Sequence, residues 1–121
     1  MTYVDGYLLP VPKKNLGAYK KMALGMAKLC KKYGALHYFE CAADEMHPKG
    51  CKRPFTKLVK PKAGETIVFA FVVYKSKTSR NSIMNKVMND PSMGSENWKD
   101  ISMPFDMNKI SYGGFKTIVE R

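Results

Sequence analysis

Residues 67–74 read Ile-Val-Phe-Ala-Phe-Val-Val-Tyr and form the longest unbroken apolar run in the chain. β-branched and aromatic residues dominate this run, which is typical of a strand that is covered on both faces of a sheet. The run has eight residues, whereas a membrane-spanning helix requires roughly 20. The sequence therefore predicts a central strand here and no transmembrane segment.

The residues before this run predict a strand and then a helix. A first strand over residues 3–9 should end at the prolines that follow it, because proline cannot donate to a central ladder. From Leu16 to Tyr33 apolar residues recur at three- and four-residue spacing, which predicts an amphipathic helix. Asn15 is the predicted N-cap of this helix and Gly34 its left-handed C-terminal cap.

The remaining elements complete a recognisable order. They are a strand over residues 36–43, a short extra element over 55–59, a helix over 78–88 capped by Ser76 or Thr78, a loop containing Trp98 and a last strand over 110–119. The order β-α-β-β-α-β is that of ferredoxin-like α+β folds, in which both helices cover one face of a four-stranded antiparallel sheet. We therefore predict a single ferredoxin-like domain over residues 1–121, with the first and third strands at its centre.

Composition indicates an ordinary globular protein. Of its 121 residues, 45% are hydrophobic and 26% are charged, which is far from the composition of disordered chains. The N-terminal residues lack the basic start and long apolar stretch of a secretory signal, and three cysteines are too few for a disulfide framework. These features predict a cytoplasmic location.

The formal charge of +11, from 21 Lys and Arg against 10 Asp and Glu, raises the prior for an anionic partner. Arg53, Arg80 and Arg121 are the only arginines, although arginine is the residue preferred for bidentate recognition of phosphates and bases. A well-solvated surface explains the same charge. We therefore predict no membrane partner and no specific nucleic acid partner.

The apolar run also matches part of a motif found in RNA-recognition domains. Phe69–Tyr74 agrees with the last six positions of their third-strand motif. However, Ile67 and Val68 replace the basic residue and the glycine that open the motif, and Asp5 and Glu40 would place anions where phosphates would run. The sequence therefore disfavours RNA binding through the sheet.

A metal site is a weak alternative. Cys41, His47 and Cys51 have the spacing C-x5-H-x3-C, and a neighbouring carboxylate could add a fourth ligand. Structural zinc sites instead favour close cysteine pairs. Phosphate-binding loops and dinucleotide fingerprints are also missing from the sequence. We predict no metal site and no cofactor.

Alternation of side chains along strands divides the predicted sheet into two faces. One set of residues suits burial under the helices: Val4, Gly6, Leu8, Phe39, Cys41, Ala43, Phe115 and Val119. The other set would lie on the open face and is rich in tyrosine: Tyr3, Asp5, Tyr7, Tyr38, Glu40, Tyr112, Lys116 and Ile118. Such an apolar patch is too large for a monomer to expose, so we predict a homodimer through this sheet face that encloses a shared chamber.

The chamber supplies the candidate site residues. Asp5, Glu40, Lys116 and Tyr112 are the catalytic candidates, with a carboxylate as general base and Lys116 or Tyr112 polarising a substrate oxygen. Tyr3, Tyr7, Tyr38, Phe69 and Phe71 are the candidates for holding a small lipophilic or aromatic ligand. The alternative is a catalytically silent interaction module in which Asp5, Glu40 and Lys116 form structural ion pairs.

Several separate motifs carry a resemblance to a known family. They are residues 3–7 (Tyr-Val-Asp-Gly-Tyr), 9–15 (Leu-Pro-Val-Pro-Lys-Lys-Asn), 38–44 (Tyr-Phe-Glu-Cys-Ala-Ala-Asp), 73–76 (Val-Tyr-Lys-Ser), 103–106 (Met-Pro-Phe-Asp) and 113–116 (Gly-Gly-Phe-Lys). The chain thereby resembles an uncharacterised bacterial family, the YbaA-like proteins. The resemblance implies a dimeric α/β-barrel architecture, shared with cofactor-independent monooxygenases of antibiotic biosynthesis. It implies no established reaction and no catalytic residues.

Overall fold

The computed structural model describes residues 1–98 and 101–121. Within these residues the strands are β1 (Tyr3–Pro12), β2 (His37–Ala42), β3 (Glu65–Tyr74) and β4 (Ser111–Lys116). The α-helices are α1 (Leu16–Lys32), α2 (Phe55–Val59) and α3 (Lys77–Met88). Short 3₁₀ turns lie at Lys13–Asn15, Pro91–Met93, Ser95–Asn97 and Met107–Lys109. The loop predicted to contain Trp98 falls partly on residues 99 and 100, which lie outside the described residues.

The four strands form one antiparallel sheet in the order β2-β3-β1-β4. Helices α1 and α3 pack against the same face of it, since residues of both helices share one buried cluster with β3. This arrangement confirms the predicted ferredoxin-like α+β fold, with β1 and β3 central. Within one chain the sheet is open and does not close into a barrel.

Strand β1 is longer than predicted because two prolines continue it. Pro10 pairs with Ile67 and Pro12 with Glu65, in register with the rest of the β1–β3 ladder. On the other side of β1 the pairing with β4 ends at Leu8. A missing N–H is tolerated where a strand has a free edge, and beyond Leu8 β1 has such an edge.

Strand β4 is shorter than predicted. Its last paired residue, Lys116, lies opposite Tyr3, the first residue of β1. Beyond this pair one further backbone hydrogen bond joins the two segments, from Thr117 N to the Thr2 carbonyl at 3.1 Å. Because β1 begins at Tyr3, the ladder does not continue past it. The prediction that Ile118 and Val119 occupy opposite faces of this strand is therefore wrong, and both side chains are exposed beyond its end.

The predicted helix caps are largely confirmed. Gly34 has φ +118° after α1, a value that glycine adopts easily. The Ser76 side chain accepts a hydrogen bond from Ser79 N at 3.0 Å and so caps α3. Asn15 occupies the N-cap position of α1 without capping it by its side chain, because its Nδ2 donates instead to the Pro104 carbonyl at 3.1 Å.

The face assignment made from strand alternation is wrong. Tyr7 and Tyr38 pack against the core between the sheet and the helices, so the set with Tyr3, Asp5, Glu40 and Tyr112 faces the helices. The set predicted to be covered lies on the opposite, open face. Alternation separates two sets without saying which one the helices cover. Here the tyrosine-rich set faces the helices, because a tyrosine ring can fill the space beneath a helix while its hydroxyl reaches a polar partner.

Candidate ligand cavity between the sheet and the helices

A cavity of about 540 Å³ lies between the helix-facing side of the sheet and helices α1 and α3. This volume is within the range of small-molecule sites, roughly 300–1,000 Å³. The sheet and α1 contribute Tyr7, Leu9, Tyr19, Met22, Ala23, Met26, Cys30, Tyr38, Glu40, Ala70, Val72 and Tyr74 to its lining. Helix α3 and the segment after it contribute Met84, Met88, Met93, Trp98, Met103, Phe105, Met107 and Ile110.

Methionine is the most frequent lining residue. Of the nine methionines in the chain, seven line the cavity: Met22, Met26, Met84, Met88, Met93, Met103 and Met107. Methionine is unbranched and polarisable, so it adapts to ligands of irregular shape. The wall is therefore apolar and able to rearrange around a bound molecule.

Glu40 brings a carboxylate into this apolar wall. Its Oε1 accepts a hydrogen bond from the Tyr19 hydroxyl at 2.6 Å, and its Oε2 accepts one from the Tyr38 hydroxyl at 2.7 Å. Burial, together with the hydrogen bond to Glu40, raises the pKa of both tyrosines above its usual value. Both hydroxyls therefore remain protonated donors at physiological pH.

The strand register explains why the space lies beside Glu40. Glu40, Ala70, Tyr7 and Tyr112 form one row across the four strands. Ala70 is the smallest side chain in this row, so it leaves room between the Glu40 and Tyr7 side chains.

Asp5 belongs to a separate buried cluster next to the cavity. Its Oδ1 lies 3.1 Å from Arg80 Nη1 and accepts a hydrogen bond from the Tyr112 hydroxyl at 3.2 Å. Arg80 also lies over the Tyr3 ring, 4.9 Å from its centroid. Burial raises the pKa of Asp5 although Arg80 and Tyr112 act to lower it. Asp5 Oδ2 and Arg80 Nε have no hydrogen-bond partner among the described residues.

The predicted site residues thus divide among three places. Tyr7, Tyr38 and Glu40 line the cavity, whereas Asp5, Tyr3 and Tyr112 join the Arg80 cluster. Lys116 is exposed at the end of β4 and forms no ion pair with Asp5 or Glu40. The alternative in which Asp5, Glu40 and Lys116 pair with one another therefore does not describe this structure, where Asp5 pairs with Arg80.

Phe69 and Phe71 lie on the open face instead. The Phe71 ring stacks on Phe39 with centroids 5.0 Å apart and lies 5.7 Å from Phe69. The Phe115 ring lies over Gly6 and Gly113, the neighbours of Phe71 in the same row. Exposed fractions of 49% for Phe39, 44% for Phe69 and 63% for Phe115 show that the described residues leave this aromatic face largely uncovered.

Sequence reasoning missed Arg80, Trp98, Phe105 and the methionines of the 93–107 segment. Arg80 follows a helix cap at an ordinary helical position, and nothing in its neighbours marks it as the partner of Asp5. The methionine content of 84–107 was visible in the sequence. The helical spacing predicts that Met84 and Met88 face inward, but it does not indicate that residues 93–107 return to line the same space.

Other kinds of site find no support in the described parts of the chain. Residues 1–98 and 101–121 bring no three His, Cys, Asp or Glu side chains together in a group that could hold a metal ion. None of the helices in those ranges is long and apolar enough to span a membrane.

Comparison with known proteins identifies the family. A family model described as "Protein of unknown function (DUF1428)" matches residues 2–107. The chain belongs to this family. The DUF1428 relatives include "Uncharacterized protein YbaA" of Escherichia coli (strain K12), which is 39% identical over 122 residues covering 99% of each chain. Proteins of the same description in Escherichia coli O157:H7 and Shigella flexneri match equally well. Family membership confirms the resemblance and carries no activity with it.

Proposed function

We propose that this chain binds a small lipophilic molecule in the cavity between its sheet and helices. The observation that carries the proposal is a space of about 540 Å³ whose lining is apolar except for a few hydroxyls, one thiol, one indole N–H and one carboxylate. Sites for organic ligands have this composition, with a few polar groups that orient the ligand. Such a cavity argues against the alternative of a silent module whose interior its own side chains fill.

Glu40 is the residue best placed to contact the polar end of the ligand. It lines the cavity directly, whereas the Asp5 carboxylate is fully buried and paired with Arg80. If the protein is an enzyme, Glu40 is accordingly the general base that the geometry favours over Asp5, Tyr112 and Lys116. No dedicated cofactor is needed for such a proton transfer.

The binding proposal is tested by filling the cavity. Ala70 is buried between Glu40 and Tyr7, so Ala70→Leu places a branched side chain in the space that a ligand would occupy. Ala42→Leu is the control, because Ala42 is exposed on the same face of the sheet and does not line the cavity. Trp98, the one tryptophan of the chain, lines the cavity and reports binding by its fluorescence.

Titration with neutral alcohols that have linear, branched and aromatic bodies should change Trp98 emission and raise the melting temperature. Ala70→Leu should weaken this binding about tenfold or more, because steric overlap in a filled site is costly. Ala42→Leu should bind as the unmodified protein does. If no alcohol in the panel changes either signal, or if both variants bind equally well, the proposal is wrong.

We further propose a homodimer joined through the open face. The side chains at the centre of this face are uncharged: Phe39, Phe69 and Phe115 are exposed, and Val4, Leu8 and Phe71 are partly exposed. An uncharged aromatic face is complementary to itself, and it is a place where two chains of formal charge +11 can meet without bringing like charges into contact. The dimer would bring two open sheets together in the manner of the α/β-barrel architecture.

A reducing compartment such as the cytoplasm is the location that we propose. Cys30, Cys41 and Cys51 are free thiols, and two of them are exposed. Exposed unpaired thiols persist where the surroundings keep cysteine reduced.

A further inference from the structure

The charge of the cavity is opposite to the charge of the protein as a whole. Among the described lining residues, Glu40 is the one acidic side chain. Burial raises the pKa of the Cys30 thiol to about 11 and also raises the pKa of Tyr7, so both stay neutral. Within residues 1–98 and 101–121, no Lys or Arg lies in the lining. The described lining therefore holds one carboxylate and no cationic group, inside a protein of formal charge +11.

We propose that the ligand is a lipophilic cation, an alkyl or aryl ammonium ion whose positive head lies against Glu40 and whose apolar body fills the methionine-lined space. This inference rests on the proposed function, since it names the class of molecule bound in the same cavity.

The Glu40 carboxylate keeps room for a donor. A carboxylate offers about four lone-pair positions, and the hydroxyls of Tyr19 and Tyr38 each occupy one. An ammonium ion is a charged donor without acceptors, and hydrogen bonds between two ions are about twice as strong as neutral ones. The remaining positions on Glu40 thus match an ammonium head.

The walls of the cavity suit a cation as well. Tyr7, Tyr19, Tyr38, Tyr74, Phe105 and Trp98 contribute aromatic rings, and Tyr19 and Phe105 meet edge to face with centroids 5.5 Å apart. Aromatic faces attract cations, and the attraction grows where water is excluded. The methionine thioethers are polarisable and stabilise a neighbouring charge more than alkane side chains do.

An anionic ligand meets the opposite conditions. A second carboxylate in this apolar space would be buried beside Glu40 without a cationic partner among the described lining residues, and an unpaired buried charge is strongly unfavourable. A neutral alcohol can donate one hydrogen bond to Glu40 but has no charge to offer. The expected order of affinity is therefore ammonium, then alcohol, then carboxylate.

The test compares octylammonium, 1-octanol and octanoate, which share one body and differ in the head group. Affinities are measured by calorimetric titration near neutral pH and at about 0.15 M salt. At this salt concentration the Debye length is roughly 8 Å, so electrostatic interactions between the ligand and distant surface charges are screened. Nonspecific binding to the exposed lysines would favour the anion octanoate. It would therefore give the reverse order of affinity, with octanoate bound most tightly and octylammonium least. Octylammonium should bind about tenfold or more tightly than octanol, consistent with a charge-assisted hydrogen bond.

Glu40→Gln removes the charge and keeps the shape of the side chain. In this variant octylammonium should bind no better than octanol, because the negative charge that distinguishes the two head groups is gone. Glu45→Gln is the control, since Glu45 is exposed and outside the cavity and its loss changes the net charge equally. That variant should keep the preference for ammonium.

The possible outcomes distinguish the preference for a cation from the more general proposal that the cavity binds a lipophilic molecule. If octanol binds and octylammonium does not bind better, or if Glu40→Gln retains the preference, the cation inference is wrong and the cavity proposal stands. If none of the three molecules binds, both are wrong. The order measured in the unmodified protein decides the matter even if Glu40→Gln fails to fold.

Discussion

The Tyr19 hydroxyl lies 2.6 Å from Glu40 Oε1. This hydrogen bond joins α1 to the edge strand β2 at the wall of the cavity, so the same contact supports both the fold and the candidate site. Tyr19 is almost completely buried, and a hydrogen bond to a charged group under such conditions contributes about 1.5–3 kcal/mol.

Removing the hydroxyl should therefore destabilise the protein. We expect Tyr19→Phe to lower the free energy of unfolding by about 1.5–3 kcal/mol, as measured by urea denaturation. In a Glu40→Leu background the same change should have a much smaller effect, because the acceptor is already gone. Equal effects in both backgrounds would show that the hydrogen bond does not couple the two residues.

The dimer proposal predicts a specific response at the centre of the open face. Sedimentation should give about twice the chain mass of 13.7 kDa, and Phe71→Asp should give the monomer because it buries a charge in an apolar interface. Ala18→Asp is the control, since Ala18 is exposed on α1, on the helix side of the sheet. A monomeric unmodified protein, or a Phe71→Asp variant that still dimerises, would contradict the proposal.

The same face could instead receive RNA, and the structure removes one argument against this. Asp5 and Glu40 lie on the helix side, so they do not place anions on the open face. Helix α1 lies on that other side, and of its lysines Lys28 and Lys31 line a groove with Phe39 at the edge strand β2. This places two of the α1 lysines at one edge of the open face and not across it. We therefore expect nucleic acid binding to be weak, independent of sequence and lost steeply as salt rises, as for scattered lysines.

Fluorescence anisotropy with single-stranded RNA at increasing salt measures this. Base stacking on exposed rings would give binding that survives about 0.2 M salt and falls on Phe71→Ala. That result would contradict our prediction and would identify RNA as the occupant of the face. Binding that is insensitive to Phe71→Ala agrees with the prediction.

Two adjacent glycines of β4 should differ in their tolerance of a methyl group. A Cβ on Gly114 would lie 2.9 Å from the Tyr3 ring, and that ring is held beneath Arg80, whereas a Cβ on Gly113 would meet the Phe115 ring at an ordinary 3.5 Å. Gly114→Ala should therefore cost about 1–3 kcal/mol in stability. Gly113→Ala should be neutral or stabilise by up to about 1 kcal/mol, because alanine lowers the entropy of the unfolded chain. Thermal denaturation distinguishes the two, and equal effects would contradict the packing described here.

The Asp90 carboxylate should make the free energy of unfolding depend on pH in the acidic range. Hydrogen bonds from Tyr33 and Ser92 hold the pKa of Asp90 well below its ordinary value of 3.8. The unfolded chain then binds a proton at higher pH than the folded one, so this stabilisation is complete above about pH 4 and is lost as the pH falls further.

Asp90→Asn tests this by removing the titrating group. The free energy of unfolding should be lower than that of the unmodified protein at neutral pH, and the difference should shrink as the pH falls below about 4. Asp106→Asn is the control, because exposed Asp106 accepts only from the Asn108 amide. A difference at Asp90 that stays constant down to about pH 2 would contradict the assignment.

The sequence alone determined the fold. The apolar run 67–74, the helical periodicity from Leu16 to Tyr33 and the cap at Ser76 are local patterns, and each predicts its own element without knowledge of the others. The short element at 55–59 was found in the same way. Glu40, Tyr7 and Tyr38 were recognised as polar or amphipathic groups in otherwise apolar strands, and the structure places all three at the cavity.

The tertiary structure decided which face these residues share and with what. Alternation along a strand has a period of two, so a sequence yields two sets of residues with nothing local to say which set the helices cover. The sequence likewise does not identify hydrogen-bond partners that lie far apart along the chain. Arg80 meets Asp5 across 75 positions and Tyr19 meets Glu40 across 21, and only the packing of helices on the sheet brings such distant side chains within hydrogen-bonding distance.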